Sequence, residues 1–277
     1  MTKLKEFIKE IIKAIKKREM AILPGNLAYF IVLAIIPTLT ILVYVASLFN
    51  ISIDLVIDFI NKVIPEDIAN IVVTAISGKG IDPSVSLFII IALFVSCNGT
   101  YAIIKTSNTL YKIEKSDEIK DRVKSVIILI LIIALFIYLI IVPIFGNQII
   151  SLIKDITGLE SLAKRITRVF NILKWPATFL LTYINIKLIY TIAPSSHIKS
   201  YTTTYGAIIT TFLWSVATFI FSYYLKYFAH YDILYGNLSS IIILMIWIYI
   251  LCFIFVLGMA INSTRYNNIL KSVNNKK

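Results

Sequence analysis

The sequence predicts an all-α, polytopic membrane protein with six transmembrane helices. Hydrophobic residues make up 58% of the 277 residues and charged residues only 15%, whereas a soluble protein of this size needs more charge on its surface. Uncharged runs long enough to cross a hydrocarbon core of roughly 30 Å recur along the chain. These runs are continuous and apolar, which indicates helices, because a β-barrel would show short strands of alternating polarity.

Six apolar runs follow one another along a single membrane domain, which we assign to residues 1–277. They span residues 27–49, 84–104, 126–145, 175–194, 200–225 and 233–264. The first run is long enough to remain in the membrane, so we expect no cleaved secretory signal peptide. We expect Pro176 in the first turn of span 4, where a proline removes no helical hydrogen bond.

The distribution of lysine and arginine predicts the orientation of these spans. The chain carries a net charge of +12, and its basic residues are concentrated in residues 1–20, in the connection 105–124 and in the tail 265–277. Cytoplasmic segments of membrane proteins are enriched in lysine and arginine. We therefore predict a multi-pass protein of the cytoplasmic membrane with both termini in the cytoplasm (N-in/C-in), and we expect no nucleic-acid partner.

Amphipathic interfacial helices are predicted outside the spans. In residues 1–20, lysines cover one side of a helical pattern and large apolar residues the other, which is typical of a helix on an anionic lipid surface. An ordinary positively charged anchor without a lipid role is the alternative. The outer loops 51–63 and 148–174 show similar patterns, the second interrupted at Gly158. There we expect helices that rest on the outer interface or on the bundle.

Polar residues recur at helical spacing in spans 4 and 5, and we interpret them as candidates for a substrate path. The candidates are Thr178, Thr182, Asn185, Lys187, Thr211, Ser215 and Thr218. Such stripes also arise where helices pack closely and hydroxyl groups bond across the contact. Lys187 is close enough to the inner end of its span to extend its ammonium group to the membrane surface. Both interpretations fit the sequence.

The acidic and histidine residues argue against several functional classes. None of the 15 acidic residues falls within a predicted span, whereas proton-coupled, sodium-coupled and metal transporters often need carboxylates there. His197 and His230 lie outside the spans and have no metal-ligating partner at helical spacing. The sequence also contains no glycine-rich phosphate-binding loop. We expect no metal, no cofactor and no enzymatic activity.

Several motifs resemble the YihY/BrkB family of bacterial inner-membrane proteins, which were formerly mislabelled ribonuclease BN. The residues that carry the resemblance are Tyr29 and Pro37 in NLAYFIVLAIIP, Asn108 in SNTLY, Pro194 in LIYTIAP, Gly206 in TYGA, Trp214 in TFLWS, the pair Tyr235 and Gly236, Trp247 in MIWIY, and Gly258 and Asn262 in LGMAIN. Their order and spacing extend over nearly the whole chain. The resemblance implies a six-span cytoplasmic-membrane protein without an established chemistry.

Two functional hypotheses follow from these patterns. The first is a permease or lipid-handling protein whose partners are membrane lipids and whose substrate is amphipathic or lipid-like, because uncoupled movement fits spans without carboxylates. The alternative is a structural or partner-binding membrane protein without transport activity. In that case the polar stripes serve helix packing, and protein partners of unknown identity dock on the basic or outer helices.

Overall fold

The structure is a computed structural model, and it describes residues 12, 14–16, 18–34, 83–154, 160–227 and 239–274. All regular secondary structure in these residues is helical, so the predicted all-α class is confirmed for this part of the chain. Most of the predicted N-terminal helix, the predicted outer helix at 51–63, and the motif residues Pro37, Tyr235 and Gly236 lie outside the described residues.

After residue 18, six α-helices run through the described residues. They are α1 (Leu23–Ala34), α2 (Pro83–Tyr111), α3 (Glu118–Lys154), α4 (Glu160–Ile192), α5 (Thr204–Tyr227) and α6 (Ser239–Asn274). Short 3-10 helices at Arg18–Ala21 and Ser200–Thr203 lead into α1 and α5. Each predicted span overlaps one of these helices, in the predicted order.

Two stretches of the described residues are long and apolar enough to cross a membrane. They are Ser200–Tyr224, which is largely α5, and Ile242–Ile269 in α6, while Leu23–Ala34 is a shorter apolar helix. Large apolar side chains also lie on the exterior: Phe219 is 74% exposed and Trp175 is 72% exposed. A surface in contact with lipid requires an apolar exterior of this kind.

Helices α3 and α4 are longer than the predicted spans. Helix α3 has 37 residues and α4 has 33, which corresponds to about 55 and 50 Å and exceeds a hydrocarbon core of roughly 30 Å. Residues 148–154 continue α3, and residues 160–174 form the first half of α4. The described residues on both sides of the predicted break at Gly158 are therefore helical, as parts of α3 and α4, and their position on the outer interface or on the bundle stays a prediction.

The position of Pro176 also differs from the expectation. Because α4 begins at Glu160, this proline lies in the interior of the helix rather than in its first turn. A proline inside a helix removes one backbone hydrogen bond. Helices that pack in a membrane bundle tolerate this loss when neighbouring groups satisfy the freed carbonyl.

Helix α6 forms the centre of the described bundle. Every side chain from Ile254 to Thr264 is buried, and α6 packs against α5, α2 and the 3-10 helix Ser200–Thr203. Around it, α2 packs on α3, α3 on α4, and α4 on α5. This arrangement brings the end of α2, the start of α3 and the end of α4 together at one end of the bundle.

Candidate functional site

A tight connection joins α2 to α3 and places the facing ends of both helices side by side. Helix α2 ends in a Schellman motif, in which Lys112 is left-handed (φ 58°) and the Ile113 N–H donates to the Asn108 carbonyl at 2.9 Å. Asp117 then caps α3, since its carboxylate accepts hydrogen bonds from two N–H groups of the first turn. The Lys120 ammonium, 3.2 Å away, holds the pKa of Asp117 below its usual value.

A groove of about 300 Å³ opens between α1, α2 and α3. It is lined by Asn26 and Phe30 of α1, by Asn98, Tyr101, Ala102 and Lys105 of α2, and by Arg122 of α3. The α2 residues recur at i, i+3, i+4 and i+7, so they share one face of the helix. This face is not among the predicted site residues, although its spacing is visible in the sequence, because the pattern crosses the predicted end of span 2.

Two cations of the groove converge on the ring of Tyr101. The guanidinium carbon of Arg122 lies 4.1 Å from the ring centroid, and the Lys105 ammonium lies 5.0 Å from it. Arg122 Nη1 also donates a 2.7 Å hydrogen bond to Oδ1 of Asn98. Interaction with the Tyr101 hydroxyl raises the pKa of Lys105, so this ammonium keeps its charge at neutral pH. The groove therefore presents two positive charges around one aromatic ring, an arrangement that attracts anions.

Close helix contacts frame the groove. A Cβ on Gly99 would lie 2.9 Å from the Ala34 Cβ and 3.2 Å from the Phe30 carbonyl oxygen, so α1 and α2 touch through their backbones at this point. The Thr100 hydroxyl donates a 2.8 Å hydrogen bond to the Ser125 carbonyl and links α2 to α3. The side chains of the groove thus project from helices whose spacing is set by packing.

A larger depression, of about 400 Å³, lies along α4 between Arg165 and Leu173. All the residues that line it belong to this one helix. Binding sites are concave and combine apolar walls with a few converging polar groups. The groove meets this description with side chains from three helices, so we take the groove as the candidate site and the depression as a helix surface.

A buried polar node lies at the same end of the bundle and consists of Asn108, Asp121 and Ser195. The Ser195 hydroxyl donates to Oδ1 of Asp121 at 2.6 Å, and Asn108 exchanges hydrogen bonds with the Ser195 hydroxyl and N–H at 2.6 and 2.8 Å. Lys124 donates to the Pro194 carbonyl at 2.6 Å. Burial lowers the pKa of Lys124, an effect that Asp121 partly opposes. The node ties α2 and α3 to the connection that follows α4.

The motif glycines of α5 and α6 form a close helix crossing. A Cβ on Gly206 would overlap the Gly258 carbonyl, and a Cβ on Gly258 would overlap the hydroxyl groups of Thr210 and Tyr190. Asn262 caps α5, since its Oδ1 accepts a 2.8 Å hydrogen bond from the Gly206 N–H. Its Nδ2 donates to the Thr203 carbonyl in the preceding 3-10 helix. An N–H in the first turn of a helix has no intrahelical acceptor, so Asn262 supplies one inside the bundle.

Aromatic motif residues reinforce this crossing. The Tyr190 hydroxyl donates to a backbone carbonyl of α6 at 2.7 Å and pairs with the Thr210 hydroxyl at 2.7 Å. Trp214 Nε1 donates to another α6 carbonyl at 2.9 Å, and Trp247 packs half-buried against the core. Tyr29, in contrast, is 61% exposed on α1. Most described motif residues therefore hold helices together rather than line the groove.

The substrate-path candidates of α4 and α5 lie away from the groove. On α4, Asn185 donates to the Leu131 carbonyl of α3 at 2.7 Å, and the Lys187 ammonium lies 5.9 Å from the Tyr183 ring centroid. Thr178, Thr182 and Lys187 are half-buried, Thr211 is buried, and Ser215 and Thr218 are exposed. The hydroxyls of Thr211 and Ser215 donate to carbonyls of their own helix. A path along these residues stays a prediction.

Comparison with known proteins decides the family. A family model described as "Virulence factor BrkB" matches residues 11–277. The chain belongs to the BrkB family. The resemblance inferred from the motifs is thereby confirmed, and the match covers the helices that form the groove, the node and the crossing. Family membership and the apolar helices together make the chain a membrane protein.

This BrkB-family chain is similar to several bacterial proteins. YfkH of Bacillus subtilis (strain 168), whose name describes it as ribonuclease-like, is 28% identical over 262 residues, which cover 93% of this chain and 94% of YfkH. The UPF0761 membrane protein VV0203 of Vibrio vulnificus (strain YJ016) is 26% identical over 91% of this chain and 79% of its own length. A UPF0761 membrane protein of Coxiella burnetii (strain Dugway 5J108-111) is 33% identical over 34% of this chain and 37% of its own length. No solved structure matches the chain.

Proposed function

We propose that this chain is a six-span protein of the cytoplasmic membrane, with both termini in the cytoplasm, that binds and moves an amphipathic or lipid-like substrate. It acts as a permease or lipid-handling protein and not as an enzyme. The observation that carries the proposal is the groove between α1, α2 and α3, which combines two cations with apolar walls from Phe30 and Ala102. A lipid-like molecule has the same combination of a polar end and an apolar body.

The position of the groove along the chain supports a role at the membrane surface. Lys105 directly follows predicted span 2, and Arg122 precedes predicted span 3, so both belong to the predicted cytoplasmic boundary. Leu33 of α1 and Phe94 of α2 expose their side chains on the same helices. An amphiphile can therefore place its polar end in the groove and its apolar part along these helices.

The absence of acidic residues from the predicted spans supports movement down a gradient rather than coupling to protons or sodium ions. The half-buried residues Thr178, Thr182 and Lys187 of α4 belong to a second proposed part of the substrate path, which is separate from the groove.

A structural or partner-binding role is the second candidate, and the hydrogen bonds of the polar stripes favour it. Asn185 bonds to α3, while Thr211 and Ser215 bond to their own helix, so these side chains contribute to helix packing and backbone satisfaction. In that case the full-length protein would co-purify with a fixed partner and would leave the distribution of lipids between the leaflets unchanged.

Reconstitution tests the transport proposal. The full chain in liposomes is assayed for transbilayer movement of a fluorescent phospholipid, measured as the fraction that a membrane-impermeant quencher reaches with time. We expect faster movement than in protein-free liposomes, and slower movement for Asn26→Trp, because a large ring at this exposed position would fill the groove. The matched control is Ile22→Trp, which is exposed one turn earlier and lies outside the groove. Wild-type protein that does not accelerate movement would exclude this function.

Cysteine labelling tests the topology. The free cysteines Cys97 and Cys252 are replaced by alanine, and a single cysteine is introduced as Thr2→Cys or Lys277→Cys. In intact cells we expect a membrane-impermeant maleimide to leave both positions unlabelled until the membrane is opened. Labelling of either terminus from outside would contradict the proposed orientation.

A further inference from the structure

We propose that the groove binds the phosphate group of an anionic lipid headgroup, which Arg122 and Lys105 hold beside the Tyr101 ring. The inference rests on the proposed function, because it names the substrate class of the same groove. Anionic phospholipids are then the preferred ligands, and zwitterionic lipids, whose headgroup carries an additional positive charge, bind more weakly.

The charges of the groove are the first reason. Neither Arg122 nor Lys105 forms an ion pair with a carboxylate of the described residues. The acid next to Arg122 in the sequence, Asp121, is instead hydrogen-bonded to Ser195 and Asn108 in the buried node. Two like charges that converge on one ring repel each other, and an anion bound between them adds two attractions that offset this repulsion.

The geometry of the guanidinium group is the second reason, and it favours phosphate over other anions. The 2.7 Å hydrogen bond to Asn98 and the contact with the Tyr101 ring orient the plane of Arg122. A guanidinium group has five N–H donors, so donors remain for a ligand. A planar guanidinium can bind two phosphate oxygens at once, and a lysine ammonium adds a point charge.

The apolar lining is the third reason, and it favours a lipid over a soluble phosphate. Phe30 and Ala102 line the groove together with the polar residues. Contact with these two apolar side chains stabilises the acyl or glycerol portion of a lipid, which free phosphate lacks. At the predicted cytoplasmic boundary, the anionic leaflet also supplies such headgroups at a high local concentration.

The test measures binding of phosphatidylglycerol and of phosphatidylcholine to the purified full-length protein by native mass spectrometry. We expect wild type to prefer phosphatidylglycerol. The preference should fall about fivefold for Lys105→Gln or Arg122→Gln, as expected for one basic contact to an anionic lipid, and further for both together. Arg122→Lys keeps the charge but loses the planar donors, so its loss should be smaller than that of Arg122→Gln.

The matched control is Arg265→Gln. The Arg265 guanidinium carbon lies 3.6 Å from the Tyr205 ring centroid, a similar stacked cation that does not line the groove. This variant should keep the wild-type preference. Lys105 and Arg122 are both exposed, so their variants should retain the wild-type helix content, which circular dichroism verifies.

Three outcomes would overturn the inference: equal binding of the two lipids by wild type, an unchanged preference in the folded double variant, or displacement of phosphatidylglycerol by an equal concentration of soluble glycerol phosphate. The last outcome would assign the groove to a soluble phosphoester instead of a lipid. Lipid movement without headgroup preference would refute this inference and keep the proposed function. Headgroup preference without lipid movement would support this inference and refute the proposed transport.

Discussion

Replacement of Gly258 by alanine should destabilise the bundle strongly, because a new Cβ has no space at the α5–α6 crossing. It would overlap the hydroxyl groups of Thr210 and Tyr190 and lie 3.0 Å from the Gly206 carbonyl oxygen. Overpacking costs about 1–3 kcal/mol. Displacement of Tyr190 also disturbs its 2.7 Å hydrogen bonds to Thr210 and to the Phe255 carbonyl, each worth about 1 kcal/mol. Alanine favours a helix by about 1 kcal/mol over glycine, so we expect a net loss of roughly 2–4 kcal/mol.

The assay is unfolding of the purified protein in mixed micelles with an increasing fraction of sodium dodecyl sulfate, followed by far-ultraviolet circular dichroism. The matched control is Gly25→Ala, whose Cβ would meet only the Tyr249 ring, at 4.0 Å. Tyr190→Phe and Thr210→Ala remove both overlapped oxygens, so adding them to Gly258→Ala should cost less than the separate losses together. Equal free energies of unfolding for Gly258→Ala and Gly25→Ala would refute this account of the crossing.

The remaining predictions use the same unfolding assay. Trp214→Phe should cost about 1 kcal/mol, because it removes the 2.9 Å hydrogen bond to the Leu251 carbonyl; an unchanged stability would show that this bond contributes nothing. Lys112→Gly should stabilise the protein by up to about 1 kcal/mol, because glycine adopts a φ of 58° without Cβ strain, and a loss would argue against the Schellman motif. For Lys124, the lowered pKa means that the unfolded chain binds the proton more tightly, so stability should rise with pH between the lowered pKa and the ordinary value of 10.5. Lys124→Met should remove this rise, and an identical pH dependence in both proteins would exclude Lys124 as its source.

The candidate site was only partly visible in the sequence. The face of α2 that contains Tyr101 and Lys105 has helical spacing, but the same spacing occurs on other faces of a long helix. The contribution of Arg122 cannot be read from periodicity, since it depends on how the α2–α3 connection turns. That turn is built from the left-handed Lys112 and the cap at Asp117, which together place α3 against α2.

In the polar stripes of spans 4 and 5, the helical pattern is regular, but it does not identify the hydrogen-bond partners of the side chains. Asn185 shares a helical face with Thr178 and Thr182, yet its amide donates to the Leu131 carbonyl of α3. On α5, the hydroxyl that meets Tyr190 and α6 belongs to Thr210, one residue away from the predicted stripe. A difference of one residue rotates a side chain by about 100° around a helix, which changes the neighbour it contacts.

The helical class, the order of the helices and the membership of a membrane-protein family can all be predicted from the sequence. These properties follow from local composition and motif order, since long apolar runs must satisfy their backbone groups within a helix when no water is present. The contacts between polar groups that are distant in the chain are visible only in the folded bundle. Asn262 caps α5 by accepting a hydrogen bond from the Gly206 N–H, and Arg122 stacks on Tyr101. Both contacts depend on the rotation and close approach of separate helices, and neither depends on residues that are neighbours in the chain.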